Sequence, residues 1–228
     1  DAPVTGGNVS LYNQNPEGAI DPTPTVAMVG LIEDEAHVTT QWFKDKGDAV
    51  ILLGEPVDKE DTLQGLGGSA YLQVIHGQKN GRPPICDLGI ERTLGTTLLG
   101  LIQSGLVKSA HDCAEGGLAV ALAESCFSEL HGRNTPCFLG ADVDLSDIEG
   151  IRGDALLFGE SRGRIIISTS DIESLKAVER AKLMGVPARR IGTVGGAQLK
   201  IKSSYGEYAW EIAGLHDLWW NSIDNAMA

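Results

Sequence analysis

The sequence has little positive charge and few aromatic residues. It holds 18 Lys and Arg residues against 31 Asp and Glu residues, which gives a formal net charge of -13 over 228 residues. An acidic surface repels nucleic-acid phosphates and anionic membranes, so we expect neither as a main partner. A nucleotide bound by such a chain has to be held locally, by backbone N–H groups, a metal ion and a few basic side chains.

Cysteine is also scarce, and long apolar runs are missing. The four cysteines show no C-x-x-C spacing and are too few for a disulfide scaffold, so we interpret them as thiols in a reducing, cytoplasmic compartment. No apolar run approaches the ~20 residues that a membrane span needs. No G-x-S-x-G or H-E-x-x-H motif points to hydrolysis. Apolar residues nevertheless make up 42%, enough for a sizeable core.

The order of apolar and polar segments predicts two domains. The chain starts at Asp1 rather than Met and runs at once into a Gly-rich segment, so we expect a piece of a longer protein. Residues 1–47 contain strands and loops that cannot bury a core alone, and the polar segment Lys44–Asp48 marks a boundary. Residues 48–228 alternate strands and helices, which predicts a complete α/β domain with one mixed sheet.

Hydrophobic periodicity predicts individual elements. Thr25–Ile32 is apolar on both faces and predicts a buried strand. Apolar residues at helical spacing predict helices over Leu88–Gln103, Gly117–Glu129 and Leu215–Ala226. The short apolar run Ala155–Phe158 is interpreted as another strand.

A Gly-Gly-Asn turn at the start of the chain is the first candidate site. Gly6 and Gly7 allow the backbone to approach a ligand, and the Asn8 side chain offers a carbonyl oxygen of the kind that Mg²⁺ accepts. Ser10 follows two residues later, so in a strand it faces the same side as Asn8. A plain turn that opens a strand explains the same residues.

Two further glycine-rich segments could bind an anion. In the segment 109–118, a His111-Asp112 pair precedes Gly116 and Gly117, which open a helix whose free N–H groups could receive a phosphate. It is neither a Walker A loop nor G-x-G-x-x-G. Helix capping and close packing account equally well for it. The segment 63–69 is a weaker candidate of the same type.

A polar turn between apolar segments is the last candidate. Phe158–Arg164 holds Glu160, Ser161 and two arginines, which could contact a ligand. A solvated hairpin turn with a Glu–Arg pair is the simpler explanation of this segment.

Several of these motifs, in this order, resemble the phosphoribosylformylglycinamidine synthase family. The resemblance is carried by Gly7-Asn8-Val9-Ser10-Leu11-Tyr12-Asn13, Met28-Val29-Gly30-Leu31-Ile32, Leu66-Gly67-Gly68-Ser69, Ser109-Ala110-His111-Asp112, Glu115-Gly116-Gly117-Leu118 and Leu157-Phe158-Gly159-Glu160-Ser161. It covers nearly the whole chain.

The resemblance implies an aminoimidazole ribonucleotide synthetase-like α/β fold. Residues 1–47 would be the end of an N-terminal-type, ATP-binding domain, and 48–228 a complete C-terminal-type α/β sandwich domain. The implied enzyme is a purine-biosynthesis ligase that converts formylglycinamide ribonucleotide to formylglycinamidine ribonucleotide. It uses ATP, Mg²⁺ and ammonia from a glutaminase subunit, and a small accessory subunit joins the complex.

The resemblance also implies roles for single residues. Gly7 corresponds to an ATP contact, Asn8 to a Mg²⁺ ligand and Ser10 to a substrate contact. The family's catalytic histidine has no counterpart here. The residues of a second, pseudo-symmetric site loop would be His111, Gly116, Gly117, Glu160 and Ser161.

Departures from the family pattern keep other interpretations open. Ala70 stands where the family often has Glu, and Arg162 where Gln often follows Glu-Ser, which weakens a working second site. Residues 48–228 would then be a structural, partner-docking half-domain. Another ATP-using relative, such as aminoimidazole ribonucleotide synthetase, is a further alternative. We also expect the isolated chain to self-associate, because residues 25–32 lack partners to bury them.

Overall fold

A computed structural model describes residues 2–9, 12–21, 23–57, 60–127 and 137–228, which form two compact units. The N-terminal unit comprises 1–38 and the C-terminal unit 39–228. Thr40 and Phe43, which precede the boundary that the sequence suggests at 47/48, belong to the C-terminal unit. Thr40 bridges to Ser109, and Phe43 is 5% exposed in the core.

The N-terminal unit is a small set of exposed strands. Strand β1 (Val4–Asn8) pairs antiparallel with β4 (Thr25–Met28), and β2 (Gln14–Asn15) pairs with β3 (Gly18–Ala19). The strand predicted over Thr25–Ile32 is therefore shorter than expected, and its exposure agrees with the expectation that residues 25–32 lack partners to bury them in this chain. The strand ends at Met28, and every residue in it is exposed, because a single partner strand covers only its edge.

The C-terminal unit is built on a seven-stranded mixed sheet, as the sequence predicted. Its order is β11-β10-β7-β9-β5-β8-β6, and β7 with β10 is the parallel pair. The interior strand β5, which lies between β9 and β8, is an apolar run with no exposed residue, which is typical of a strand covered on both faces. The strands are β5 (Ala49–Leu53), β6 (Ser109–Asp112), β7 (Ala141–Asp144), β8 (Ile165–Thr169), β9 (Ala188–Val194), β10 (Gln198–Ser203) and β11 (Gly206–Glu211).

Helices lie on both faces of this sheet and create two cores. Val50 and Leu52 of β5 enter one core, while Ile51 and Leu53 enter the other, because successive strand side chains point to opposite faces. The helices are α1 (Ala70–His76), α2 (Leu88–Gln103), α3 (Gly117–Ser125), α4 (Gly153–Phe158), α5 (Ser174–Leu183), α6 (Ile212–Trp220) and α7 (Ser222–Met227). The first core packs against α3, α4 and α6, and the second against α2 and α5.

Several elements differ from the sequence-based prediction. Helix α3 ends at Ser125 and not at the predicted Glu129, which lies outside the described residues. The segment Ala155–Phe158, predicted as a strand, lies in helix α4, because a short buried apolar run has no periodicity that separates strand from helix. Strand β7, which alternates buried and exposed residues, was missed. The predicted helix Leu215–Ala226 is divided at Asn221 into α6 and α7. Helix α2 has the predicted bounds.

Candidate functional site

The Gly-Gly-Asn segment, which the sequence predicts as a turn that opens a strand, is instead the last three residues of strand β1 in the N-terminal unit. Gly7 is paired with Val26, and Asn8 with Thr25. A β-carbon on residue 7 would lie 2.2 Å from the carbonyl oxygen of Thr25, so only glycine allows the two strands to approach this closely. The close pairing fixes where β1 ends and therefore where Asn8 begins the following loop.

Asn8 is exposed, and its side chain forms no hydrogen bond with any described residue. Its amide oxygen is thus available to a cation or a ligand. Ser10, the predicted substrate contact, lies outside the described residues. Among the residues that the structure describes, no group of three or more His, Cys, Asp or Glu side chains could hold a metal ion. A metal at Asn8 would therefore need oxygen ligands from a nucleotide, water or residues elsewhere.

A cavity of about 450 Å³ in the C-terminal unit is the second candidate site. Its walls come from four loops and from helix α2, so residues far apart in sequence meet there. The lining residues are Gly67, Gly68, Pro83, Pro84, Glu91, Leu94, Asp112, Cys113, Ala114, Glu115, Glu160, Ser161, Arg162, Gly163, Arg164 and Ile165.

Glu160 connects two of these loops through one carboxylate oxygen. Its Oε1 accepts a hydrogen bond from the backbone N–H of Ala70 and another from that of Gly116, each at 2.9 Å. Ala70 is the first residue of α1, and Gly116 immediately precedes α3. A carboxylate is favoured at this place because helix N-termini carry unpaired N–H groups and a partial positive charge.

The backbone conformation at positions 116 and 117 requires glycine. Their φ angles are +73° and +72°, a conformation that other residues rarely adopt twice in succession. A β-carbon on Gly117 would lie 2.6 Å from the carbonyl oxygen of Gly159, so the two loops touch through their backbones. The glycines therefore serve close packing in this structure, which is one of the two explanations that the sequence left open.

Arg164 stabilises the loop that contains Glu160 by hydrogen bonds to its backbone. Its buried guanidinium donates to the carbonyl oxygens of Pro56, Gly159 and Ser161. Burial lowers the pKa of Arg164. The three carbonyl oxygens that accept its hydrogen bonds partly replace the water that the buried guanidinium has lost. Burial also raises the pKa of the neighbouring Cys113 thiol to about 11, so this cysteine stays protonated and is a poor nucleophile.

Ser161 and His111 are placed differently from Glu160. The Ser161 hydroxyl is buried against Gly65 and has no hydrogen-bond partner among the described residues. His111 does not line the cavity. Its Nε2 lies 2.8 Å from a carboxylate oxygen of Glu124 on α3, and its Nδ1 lies 3.7 Å from Asp112.

The structure thus brings Gly116, Gly117, Glu160 and Ser161 together and leaves His111 outside. Sequence reasoning missed two contributions to the cavity, Glu91 from α2 and the Pro83-Pro84 segment. Neither has a local signal, because both reach the cavity only through the packing of α2 on the sheet. A second cavity of about 640 Å³ shares part of this wall, including Glu91 and Arg162.

Comparison with known proteins agrees with the fold. Several curated relatives are named phosphoribosylformylglycinamidine synthase subunit PurL. The one from Anaeromyxobacter dehalogenans (strain 2CP-C) is 42% identical to this chain over 92% of the chain's length. The relative from Thermobifida fusca is 42% identical over 97% of this chain. The relative from Alkaliphilus metalliredigens is 40% identical over 100% of this chain. The chain spans only 27% of the first two relatives and 29% of the third.

Solved structures support the same architecture. Thermotoga maritima PurL complexed with FGAR matches 84% of this chain and 30% of its own, with a TM-score of 0.64 at 17% identity. The same protein complexed with ATP matches with a TM-score of 0.58, also at 17% identity. At this identity the likeness concerns the fold. In addition, no helix in the described part of the chain is long and apolar enough to cross a membrane.

The family match covers most of the C-terminal unit. Residues 45–202 match the family described as AIR synthase related protein, C-terminal domain. These residues include the interior strand β5, the glycine pair at the start of α3 and the Glu160 loop. The chain therefore belongs to the family of AIR synthase related proteins, as a carrier of their C-terminal domain.

Proposed function

We propose that this chain is part of a phosphoribosylformylglycinamidine synthase. The whole protein would convert formylglycinamide ribonucleotide to formylglycinamidine ribonucleotide with ATP and glutamine-derived ammonia, in the cytoplasm. The observation that carries the proposal is the 42% identity to PurL over 92% of the chain. The partners would be a glutaminase subunit and a small accessory subunit. A structure titled PurLQS from Thermotoga maritima is consistent with an assembly of this kind.

In this proposal the Gly-Gly-Asn segment contributes to the nucleotide and metal site. Gly7 contacts ATP through its backbone, Asn8 provides an oxygen to Mg²⁺, and Ser10 contacts the substrate. The metal role is supported by the exposed side chain of Asn8, which forms no hydrogen bond with a described residue. When bound, Mg²⁺ would neutralise charge on the phosphoryl group that is transferred. The chain's own contribution is to position one oxygen through the tight β1–β4 pairing.

A chimeric enzyme tests the function directly. This chain would replace the matching quarter of the Anaeromyxobacter relative, and ATP-dependent product formation would be measured with ammonia in place of glutamine. We expect activity in the chimera and a loss of at least about tenfold with Asn8→Ala, because one metal ligand is removed. Gln14→Ala, on the exposed strand β2, is the matched control. An inactive but folded chimera would argue against the proposal.

A second role is supported by the cavity in the C-terminal unit. The loop residues of the proposed second nucleotide site are His111, Gly116, Gly117, Glu160 and Ser161, of which Glu160 and Ser161 line the cavity and His111 does not. The alternative is a structural, partner-docking half-domain, which is favoured by the carboxylate of Glu160 on the amides that a phosphate would use. Calorimetric titration of Mg-ADP into the 228-residue chain separates the two. Binding that survives Asn8→Ala supports the second site, and no binding supports the docking role.

A further inference from the structure

The cavity in the C-terminal unit already contains an anion, the carboxylate of Glu160. One oxygen of this carboxylate receives two backbone N–H donors from loops that are 46 residues apart in sequence, at Ala70 and Gly116, with both distances 2.9 Å. Two donors that converge on a single oxygen are the arrangement by which proteins hold a phosphate or carboxylate ligand.

The position of the carboxylate is fixed from both sides. The backbone N–H of Glu160 donates to the carbonyl oxygen of Gly65 at 2.8 Å. Behind it, the buried guanidinium of Arg164 donates to the carbonyl oxygens of Gly159 and Ser161. These hydrogen bonds fix the backbone of the loop. The Glu160 side chain is therefore held close to its two donors and loses little conformational freedom when it binds them.

No other anion in this part of the cavity competes for the two amides. Glu91, Asp112 and Glu115 also line the cavity, but none of them accepts a hydrogen bond from Ala70 or Gly116. Arg162, the exposed cation of the same loop, forms no ion pair or hydrogen bond with a described residue. In the described part of the chain, the amides of Ala70 and Gly116 are thus paired with Glu160.

We propose that Glu160 is an internal ligand, a positioning residue whose carboxylate fills an anion cradle formed by the amides of Ala70 and Gly116. While it is in place, a phosphate or carboxylate from solution cannot bind to these amides. Glu160 also joins the loop before α1 to the loop before α3, so it fixes the shape of the cavity wall. The inference does not depend on the reaction of the whole protein.

Removal of the carboxylate followed by chemical rescue tests the proposal. Glu160→Ala in the 228-residue chain should lower the melting temperature by roughly 4–8 °C, because two hydrogen bonds to a charged group are lost. Formate supplies a carboxylate of the right size without the side chain. It should raise the melting temperature of this variant more than chloride does at equal ionic strength, with no such difference for the unsubstituted chain.

The NMR chemical shifts of the Ala70 and Gly116 amides provide a local readout, because a general stabilising effect of formate would not change these two shifts specifically. Both should shift in Glu160→Ala and return towards their original positions as formate is added. Glu115→Ala, a carboxylate lost from the same cavity, is the matched control and should show neither the shift nor the rescue.

Two results would overturn the proposal. One is an equal effect of formate and chloride on Glu160→Ala, with the two amides unmoved by formate. The other is a formate response of the same two amides in the unsubstituted chain, since the cradle would then be open. If Glu160→Ala does not fold, Glu160→Gln replaces it. Its amide oxygen can accept both bonds, so the two resonances should stay close to their original positions, and large shifts of both would contradict the inference.

Discussion

Strands β4 and β5 are both short and apolar, yet they have opposite environments. In β4 of the N-terminal unit, Val26 and Met28 are 60% and 56% exposed, whereas all five residues of β5 are 0% exposed. Strand β5 has a strand on each side and a helical layer on each face. Strand β4 pairs with β1. Composition determines what a strand can bury, and the number of neighbours determines what it does bury.

The largest effect that this comparison predicts is on unfolding free energy. Leu52→Ala in β5 should cost about 3–5 kcal/mol, because a fully buried side chain leaves a cavity. Val26→Ala in β4 should change stability by no more than about 0.5 kcal/mol. Urea unfolding followed by tryptophan fluorescence measures Leu52→Ala, since all four tryptophans lie in the C-terminal unit, and far-UV circular dichroism, which also reports the N-terminal strands, measures Val26→Ala. Similar losses for the two variants would show that β4 is covered in solution.

The same contrast explains what the sequence could and could not predict. Helix α2 was predicted with its exact bounds because its apolar spacing is a local signal, and the structure adds Asp87 as the residue that caps its start. Helix α4 was mistaken for a strand because three consecutive buried residues carry no period. At the site, the glycine pair at the start of α3 could be recognised locally. That Glu160 bonds to it could not, because the contact spans 44 residues and depends on sheet order.

The boundary between the units gives the next prediction. A chain that begins at Thr39 should melt within a few degrees of the full chain, because the C-terminal unit keeps its core. A chain that begins at Asp48 also loses Phe43, which is 5% exposed and donates its N–H to Ser125 at 2.8 Å. That loss should cost about 3 kcal/mol. Calorimetry compares the two, and equal melting temperatures would place the boundary at 47/48.

The same contrast between crowded and open surroundings exists at two glycines of the C-terminal unit. A β-carbon would meet backbone atoms at Gly117 and open space at Gly95. Gly117→Ala should destabilise the chain by about 1–3 kcal/mol, because φ is positive and the new β-carbon meets Gly159. Gly95→Ala, in the exposed middle of α2 with no atom within 4 Å, should stabilise it by up to about 1 kcal/mol. Thermal unfolding of the pair checks this. Equal effects would mean that the α3 loop relaxes freely.

The exposed apolar residues of the N-terminal unit predict self-association. Val29, Leu31 and Ile32 follow β4 and are 67%, 86% and 61% exposed. Contiguous exposed apolar surface promotes association, so the full chain should elute as an oligomer whose size grows with concentration. The chain that begins at Thr39 should associate less. Size-exclusion chromatography with light scattering measures both, and a clean monomer of the full chain at high concentration would contradict the prediction.

The smallest effect tests how closed the C-terminal core is. Burial raises the pKa of Cys113 to about 11 and that of Cys126 to about 12, against 9.0 for an ordinary thiol. Iodoacetamide reacts with the thiolate, so at pH 8 we expect the exposed Cys86 and Cys137 to be labelled and the two buried thiols to be spared. Mass spectrometry counts the labels, with the urea-unfolded chain as the control that should take four.

The same raised pKa values set the sign of a pH effect. The stability that comes from burying a neutral thiol is complete below the unfolded pKa of about 9 and is lost as the pH rises through 11 and 12. Labelling of Cys113 and Cys126 should therefore begin only in strongly alkaline solution, together with unfolding of the core. A third label at pH 8 in the folded chain would show that this core opens locally, and the contrast with the N-terminal unit would then be one of degree.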